Sequence, residues 1–67
     1  MNTVYVVITD WRDRQYEPEI IGVFEDEICA NNTIEAKEYE LQNEGYDVGE
    51  EVCVYYEEIV LNKAYKS

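Results

Sequence analysis

Three stretches of the chain have the composition of β-strands, and one stretch between the second and third has helical periodicity. The segments at 3–9 (TVYVVIT), 19–24 (EIIGVF) and 51–61 (EVCVYYEEIVL) are rich in β-branched and aromatic residues, which favour extended backbone. The segment at 24–44 (FEDEICANNTIEAKEYELQNE) has apolar residues at helical spacing up to about Asn43. The pattern therefore predicts the order β-β-α-β, in a sheet of three or four strands.

Local signals mark the ends of these elements. Asp26 is suited to the N-cap of the helix, and Gly45 stands where a helix commonly ends in a left-handed residue. The polar stretch 10–18 ends at the only proline and predicts a loop. Gly22 inside the second strand indicates a bulge or a close approach of the backbone.

The predicted fold class is α+β, as one domain that spans residues 1–67, with an antiparallel sheet and one helix packed on one of its faces. A chain of 67 residues buries only about 60% of its unfolded surface, which limits it to one thin core. Placing the helix at about 100° per residue gathers the core-facing side chains on one stripe. That stripe consists of Ala30, Ile34, Leu41 and the stem of Lys37. The opposite side holds Ile28, Cys29, Ala36 and Tyr39.

The strands are apolar on both faces, although one helix covers a single face. Tyr5 and Val7 alternate with Val4, Val6 and Ile8, and the third strand shows the same excess. Because a large exposed apolar patch usually marks an interface, we expect a homodimer formed through the open sheet face. The alternative is that the 10–18 loop and the C-terminal segment fold over that face.

The third strand changes its alternation partway along. Apolar positions 52, 54 and 56 are followed by Ile59 and Leu61, with Glu57 and Glu58 between them. Strict alternation does not serve both halves, so we expect a bulge or turn near Glu57. Such a bend would place Glu57 and Glu58 outward as a pair.

The net charge of the chain is its most unusual property and bears directly on which partners it can bind. Sixteen Asp and Glu residues stand against five Lys and Arg, for a net charge of −11. Between Gln15 and Asn62 there are fourteen acids and one base, Lys37. Such a surface repels nucleic acid phosphates and anionic membranes, and it attracts cationic proteins. The plain alternative is that the charge serves solubility alone.

The residues of most catalytic sites are missing. The chain has no histidine, its only serine is Ser67, and its three glycines do not form a phosphate-binding loop. Cys29 and Cys53 lack zinc-site spacing, so we expect no metal, no cofactor and no enzymatic activity. We further expect both thiols to be buried and reduced in a cytoplasmic protein, although a disulfide between them stays open.

A pattern of packing residues resembles a group of small proteins. The run VYVV at 4–7, IIGVF at 20–24 and Ala30 after an acidic helix start are similar to uncharacterised β-β-α-β proteins of phages and Gram-positive bacteria. The resemblance covers about the first half of the chain, and it implies a fold but no activity. In size and charge the chain is also similar to acidic phage proteins that disable host factors. These include DNA mimics that act on uracil-DNA glycosylase, restriction enzymes, CRISPR nucleases or the nucleoid protein HU, and small inhibitors of RNA polymerase.

We therefore expect a phage-derived inhibitor that mimics DNA in the host bacterial cytoplasm and occupies the nucleic-acid-binding surface of a basic protein, with an HU-like protein as the leading target. One alternative is an adaptor that binds a partner through the open sheet face. Another is an RNA polymerase inhibitor that uses an acidic strip. The expected contact residues are Glu35, Glu40, Glu44, Asp47, Glu50, Glu51, Glu57, Glu58, Tyr39 and Tyr55. Ile28, Trp11 and Tyr46 are further candidate apolar anchors.

Overall fold

The computed structural model describes residues 2–12 and 17–61, which form three strands and one helix. The strands are β1 (Asn2–Trp11), β2 (Glu19–Phe24) and β3 (Val52–Leu61), and the helix is α1 (Glu27–Asn43). All neighbouring strands are antiparallel, in the order β2-β1-β3, so β1 is the central strand. The predicted α+β fold is confirmed. The prediction that the loop begins at residue 10 is wrong, because Asp10 and Trp11 pair with Cys53 and Val52 as the last residues of β1. Residues 13–16 and 62–67, which belong to the two segments expected as alternative covers for the open sheet face, lie outside the described residues.

The core lies between α1 and one face of the sheet. Val7 of β1, Val52 of β3 and Ala30 of α1 are fully buried, and Leu41 is nearly so. A methyl side chain at position 30 lets the helix backbone lie close to the central strand, which maximises dispersion contacts for a thin core. Half-buried side chains extend this core at its margins, among them Tyr5, Phe24 and Ile34.

Both ends of α1 are capped by the predicted residues. The backbone N–H of Ile28 donates to Oδ1 of the N-cap Asp26 at 3.0 Å. At the other end, the N–H of Gly45 donates to Gln42 O at 3.0 Å and that of Tyr46 donates to Leu41 O at 3.1 Å. With Gly45 at φ +96°, this is a Schellman motif, which satisfies carbonyls that the helix end would leave unpaired.

The two sides of α1 are divided as predicted. Ala30 and Leu41 are buried, Ile34 is half-buried against the core, and the Lys37 side chain is largely covered. Ile28 and Tyr39 on the opposite side are each 68% exposed.

The expected bend in β3 is wrong. β3 pairs with β1 without interruption from Val52 opposite Trp11 to Leu61 opposite Asn2. Alternation need not hold over the second half of β3 because that half is exposed on both faces of the sheet. Glu58 and Val60 lie on the helix side, whereas Glu57 and Ile59 lie on the other side, so both sides accept mixed residues.

The sheet irregularity is in β2, where Gly22 predicted it. Val7 lies opposite Gly22 while Ile8 lies opposite Ile20, which leaves Ile21 as the extra residue of a bulge. The Phe24 ring folds back over Gly22, and a Cβ at position 22 would lie 2.6 Å from Cε2 of Phe24. The glycine therefore allows both the bulge and the packing of the ring.

Thr9 is the one polar residue among the described residues that is buried with the apolar ones. Its side chain is fully buried in β1, and Oγ1 has no hydrogen-bond partner among the described residues. A buried hydroxyl that has lost water without gaining a partner reduces stability.

We predict that Thr9→Val raises the free energy of unfolding by about 1 kcal/mol, since valine keeps the shape and removes the unpaired hydroxyl. Urea unfolding followed by tryptophan fluorescence measures the change. The matched control is Thr3→Val on the same strand and the same face, where the side chain is half-buried and the change should stay within about 0.5 kcal/mol. A less stable Thr9→Val protein would show that the hydroxyl has a partner, such as a buried water.

We predict that Gly22→Ala destabilises the fold by about 1–3 kcal/mol, because the new methyl group and the Phe24 ring occupy the same space. Phe24→Leu should relieve much of that clash, so the double variant should be less destabilised than the sum of the two single variants. A double-mutant cycle in urea tests this. If the two effects are additive, alanine destabilises the fold through the backbone conformation of the bulge and not through a clash with the Phe24 ring.

Candidate protein-interaction surfaces

The acidic residues expected as contacts on α1 and at its C-cap form two separate stripes. Glu35 and Tyr39 are one turn apart on the exposed outer side, next to Ile28. Glu40 and Glu44 are likewise one turn apart, but Glu40 is rotated by about 140° from Glu35 around the helix axis. The second stripe also contains Lys37, whose Nζ lies 3.6 Å from Oε1 of Glu40. The expected helix contacts are therefore exposed, but they do not share one face.

The turn between α1 and β3 uses one of its acids for its own structure. The backbone N–H of Asp47 donates to Oε1 of Glu51 at 2.9 Å, and the N–H of Glu51 donates back to Asp47 O at 2.8 Å. Arg12, the residue after β1, stabilises the same turn, because its Nη1 donates to Gly49 O at 3.2 Å. Asp47 and Glu50 are exposed, whereas Glu51 is half-buried and has a structural role.

Glu57 and Glu58 do not form a pair. Because β3 is continuous, consecutive side chains point to opposite faces of the sheet. Glu57 lies opposite Val6 on the open sheet face, and Glu58 lies opposite Tyr5 on the helix side. Both are exposed.

The open sheet face, meaning the face that α1 does not cover, is apolar as predicted. Its centre consists of Val4, Val6 and Ile8 of β1, of which Val6 and Ile8 are buried and Val4 is half-buried, and exposed apolar side chains lie to either side. Ile20 and Val23 of β2 are 64% and 57% exposed, and the β3 residues Tyr55, Ile59 and Leu61 are also exposed.

Two of the expected anchors are part of the folded framework. The rings of Trp11 and Tyr46 pack edge to face with their centroids 4.9 Å apart, and both side chains are half-buried against the core. They join the end of β1 to the residue that follows the helix cap. Their role as anchors for a partner stays a prediction, while Ile28, Tyr39 and Tyr55 are exposed.

A tyrosine–carboxylate contact that the sequence did not reveal links α1 to the sheet. The Tyr56 hydroxyl donates to Oε2 of Glu27 at 2.6 Å, and the Tyr5 ring packs edge to face on Tyr56 with centroids 5.4 Å apart. The hydrogen bond to Glu27 is the main reason that the pKa of Tyr56 is raised, with burial second. Burial, followed by the nearby Glu58, raises the pKa of Tyr5.

Tyr55 lies among acids on the open sheet face. Its pKa is raised first by burial, then by the negative charges of Asp10 and Glu57. This tyrosine therefore offers an aromatic ring and a neutral hydroxyl beside two carboxylates.

Other kinds of site are not formed by the described residues. Within 2–12 and 17–61, no three Cys, Asp or Glu side chains come close enough together to hold a metal ion. Cys29 and Cys53 are both free thiols, and the expectation that both are buried is wrong, since Cys29 is exposed and Cys53 half-buried. The described helix is too short and too polar to cross a membrane.

Comparisons with protein-family models, with curated proteins and with solved structures found no match to this chain. The resemblance to small phage and Gram-positive proteins stays a prediction.

We predict that stability falls as the pH rises above about 10. The folded-state pKa values of Tyr5, Tyr55 and Tyr56 lie above the ordinary value of 10.0. The unfolded chain therefore loses these protons first, so the stabilisation is complete below about pH 10 and is lost as the pH rises through the folded-state pKa values. Unfolding in urea across this range measures the slope.

Removing the Tyr56 hydroxyl identifies the contribution of its bond to Glu27. Tyr56→Phe should make the decline above about pH 10 shallower. Glu27→Gln should act in the same direction, because an amide still accepts the hydrogen bond without opposing ionisation. If the stability of the Tyr56→Phe protein falls as steeply above about pH 10 as that of the unchanged protein, the decline comes from other titratable groups.

Proposed function

We propose that this protein is a non-enzymatic inhibitor that binds a basic nucleic-acid-binding protein and competes there with DNA. One observation carries the proposal. Every described Asp and Glu is exposed or half-buried, and the one ion pair between described residues joins Lys37 to Glu40. The fold therefore displays its carboxylates on the surface, largely without described basic partners.

Electrostatics explains how such a surface would act. A strongly negative protein draws a positive one towards it over distances comparable to the Debye length, which speeds association and weakens with salt. Lys and Arg residues that normally contact phosphates could pair with carboxylates instead. Exposed aromatic residues such as Tyr39 would add the close contacts that fix one orientation.

The two acidic stripes along α1 and the turn that follows the helix are the first candidates for this contact. Glu35 and Glu40 lie on the helix and Glu44 at its C-cap, and Asp47 and Glu50 continue the acidic surface into the turn. Within this proposal the protein is phage-derived, acts in the bacterial cytoplasm, and has an HU-like nucleoid protein as its leading target.

A second candidate function is supported by the open sheet face. Ile20 and Val23 are more than half exposed on β2, and Ile59 and Leu61 are exposed on β3. Contact through this face would make the protein an adaptor or a homodimer, and the charge would then serve solubility. Binding of this kind depends on apolar burial and responds weakly to salt.

We predict that the protein displaces a fluorescent DNA duplex from an HU-type protein. The displacement should weaken steeply between low and physiological salt, because charged contacts supply most of the binding free energy. Fluorescence anisotropy measures it. Glu35→Gln combined with Glu40→Gln and Glu44→Gln should weaken competition by about tenfold, since three charged contacts are lost.

Two controls separate mimicry from a general polyanion effect. Glu17→Gln combined with Glu19→Gln and Glu25→Gln removes the same charge near β2 and should weaken competition much less. Polyglutamate at equal charge concentration should compete less well than the protein. Equal loss in both triple variants, or equal competition by polyglutamate, would refute a defined acidic surface. If Tyr55→Ala abolishes a salt-insensitive association, the open-face candidate is supported.

A further inference from the structure

The outer edge of β3, the side turned away from β1, has almost no strand partner in the described structure. Val48 forms an isolated parallel bridge with Val52, and the N–H of Gly49 donates to Val52 O at 2.7 Å, so the first residue of β3 is covered. From Cys53 to Leu61, no described residue pairs with the outer side. Such an edge presents N–H and C=O groups to any extended chain.

The second edge of the sheet is less suited to pairing. β2 spans only Glu19–Phe24, and its bulge at Ile21 interrupts the register. Bulges and short length are two devices that protect edge strands. β3 spans ten residues without a register shift and so has neither protection.

Charge opposes pairing of the β3 edge with a second copy of the chain. If two copies paired antiparallel along 53–61, the centre of the overlap would fall at Glu57, with the two Glu57 side chains directly opposite each other. Moving the centre by one residue towards Leu61 instead places the two Glu58 side chains opposite each other. Like charges directly opposite across a strand pair are destabilising, so these registers are disfavoured.

The same two acids favour a cationic strand. Glu57 and Glu58 are exposed and lie on opposite faces, so two adjacent basic residues of an added strand would meet one carboxylate on each face. Ile59, Val60 and Leu61 follow them and are all exposed. Apolar residues of the added strand would cover these three.

We infer that the outer edge of β3 binds an extended segment of the partner as an added strand, through two adjacent Lys or Arg residues flanked by β-branched residues. Main-chain hydrogen bonds supply affinity in this mode, and the side chains on each face supply specificity. The inference rests on the proposed function in taking the partner to be basic. It adds a second contact, away from the acidic stripes of α1.

The test uses a synthetic peptide with two central lysines between Val and Ile residues, titrated into isotope-labelled protein and followed by nuclear magnetic resonance. Amide shifts should change chiefly over residues 53–61, and these amides should gain protection from hydrogen exchange. The same peptide with N-methyl groups on alternate backbone nitrogens keeps its charge but cannot pair along one edge, and it should bind far more weakly. Shift changes on α1, or equal binding of the methylated peptide, would overturn the inference.

Matched variants identify the role of the two acids. Glu57→Gln with Glu58→Gln should weaken peptide binding about threefold to tenfold, whereas Glu35→Gln with Glu40→Gln should change it much less. Equal losses would show attraction by net charge alone. Sedimentation at the same concentrations should show no dimer built on this edge, and a dimer that the peptide dissociates would assign the edge to a second copy.

The outcome is separable from that of the proposed function. If the proposed function fails, the protein does not displace DNA from the HU-type protein, whatever the peptide result. If this inference alone fails, displacement persists but the peptide shifts lie elsewhere, and Glu57→Gln with Glu58→Gln leaves the peptide affinity unchanged.

Discussion

The packing of Ala30 against the central strand is the contact from which the rest of the molecule follows. One helix must cover Val7 of β1 and Val52 of β3 at once, and all three residues are fully buried. A larger residue at position 30 would push the helix away from both strands. Because this contact uses the only described helix, the opposite face of the sheet and the far half of β3 receive no cover from it. The exposed apolar side chains are thus a consequence of building a core with so short a chain.

The charge distribution is compatible with this thin core because the carboxylates lie outside it. Repulsion between solvent-exposed charges is screened beyond about a Debye length, so acids spread over helix, turn and edge cost less stability than buried ones would. Some of them also assist folding, as Asp26 does at the helix N-cap and Glu51 does in the turn. Glu35, Glu44 and Glu50 have no such contact among the described residues. The contacts of the folded chain therefore do not explain their presence, and the proposed function is built on these acids.

Structural features that depend on neighbouring residues could be predicted from the sequence, whereas those that depend on residues far apart in the chain could not. The strands, the helix, its two caps and the bulge at Gly22 all follow from local preferences, and the structure confirms them. The predicted bend at Glu57 is wrong because alternation of apolar and polar residues is required only where one face of a strand is buried. Residues 57–61 of β3 are exposed on both faces. The roles of Trp11 and Tyr46, and the bond from Tyr56 to Glu27, join residues far apart in sequence, which composition does not reveal. For the same reason the sequence did not reveal that the expected contact residues are divided among several surfaces, or that Glu51 among them is half-buried.

The position of Glu57 and Glu58 connects the edge of the sheet to the charge of the whole protein. An exposed, regular, largely apolar strand end is a hazard, since it can pair with other copies and start aggregation. A lysine pair would guard the edge equally well, yet it would also attract nucleic acid. Two glutamates disfavour pairing with the chain's own copies and, if the edge binds a basic strand as we propose, the net charge of −11 favours that partner. Protection of the edge and selection of its partner therefore require the same sign of charge, which removes the conflict between staying soluble and keeping a strand available for binding.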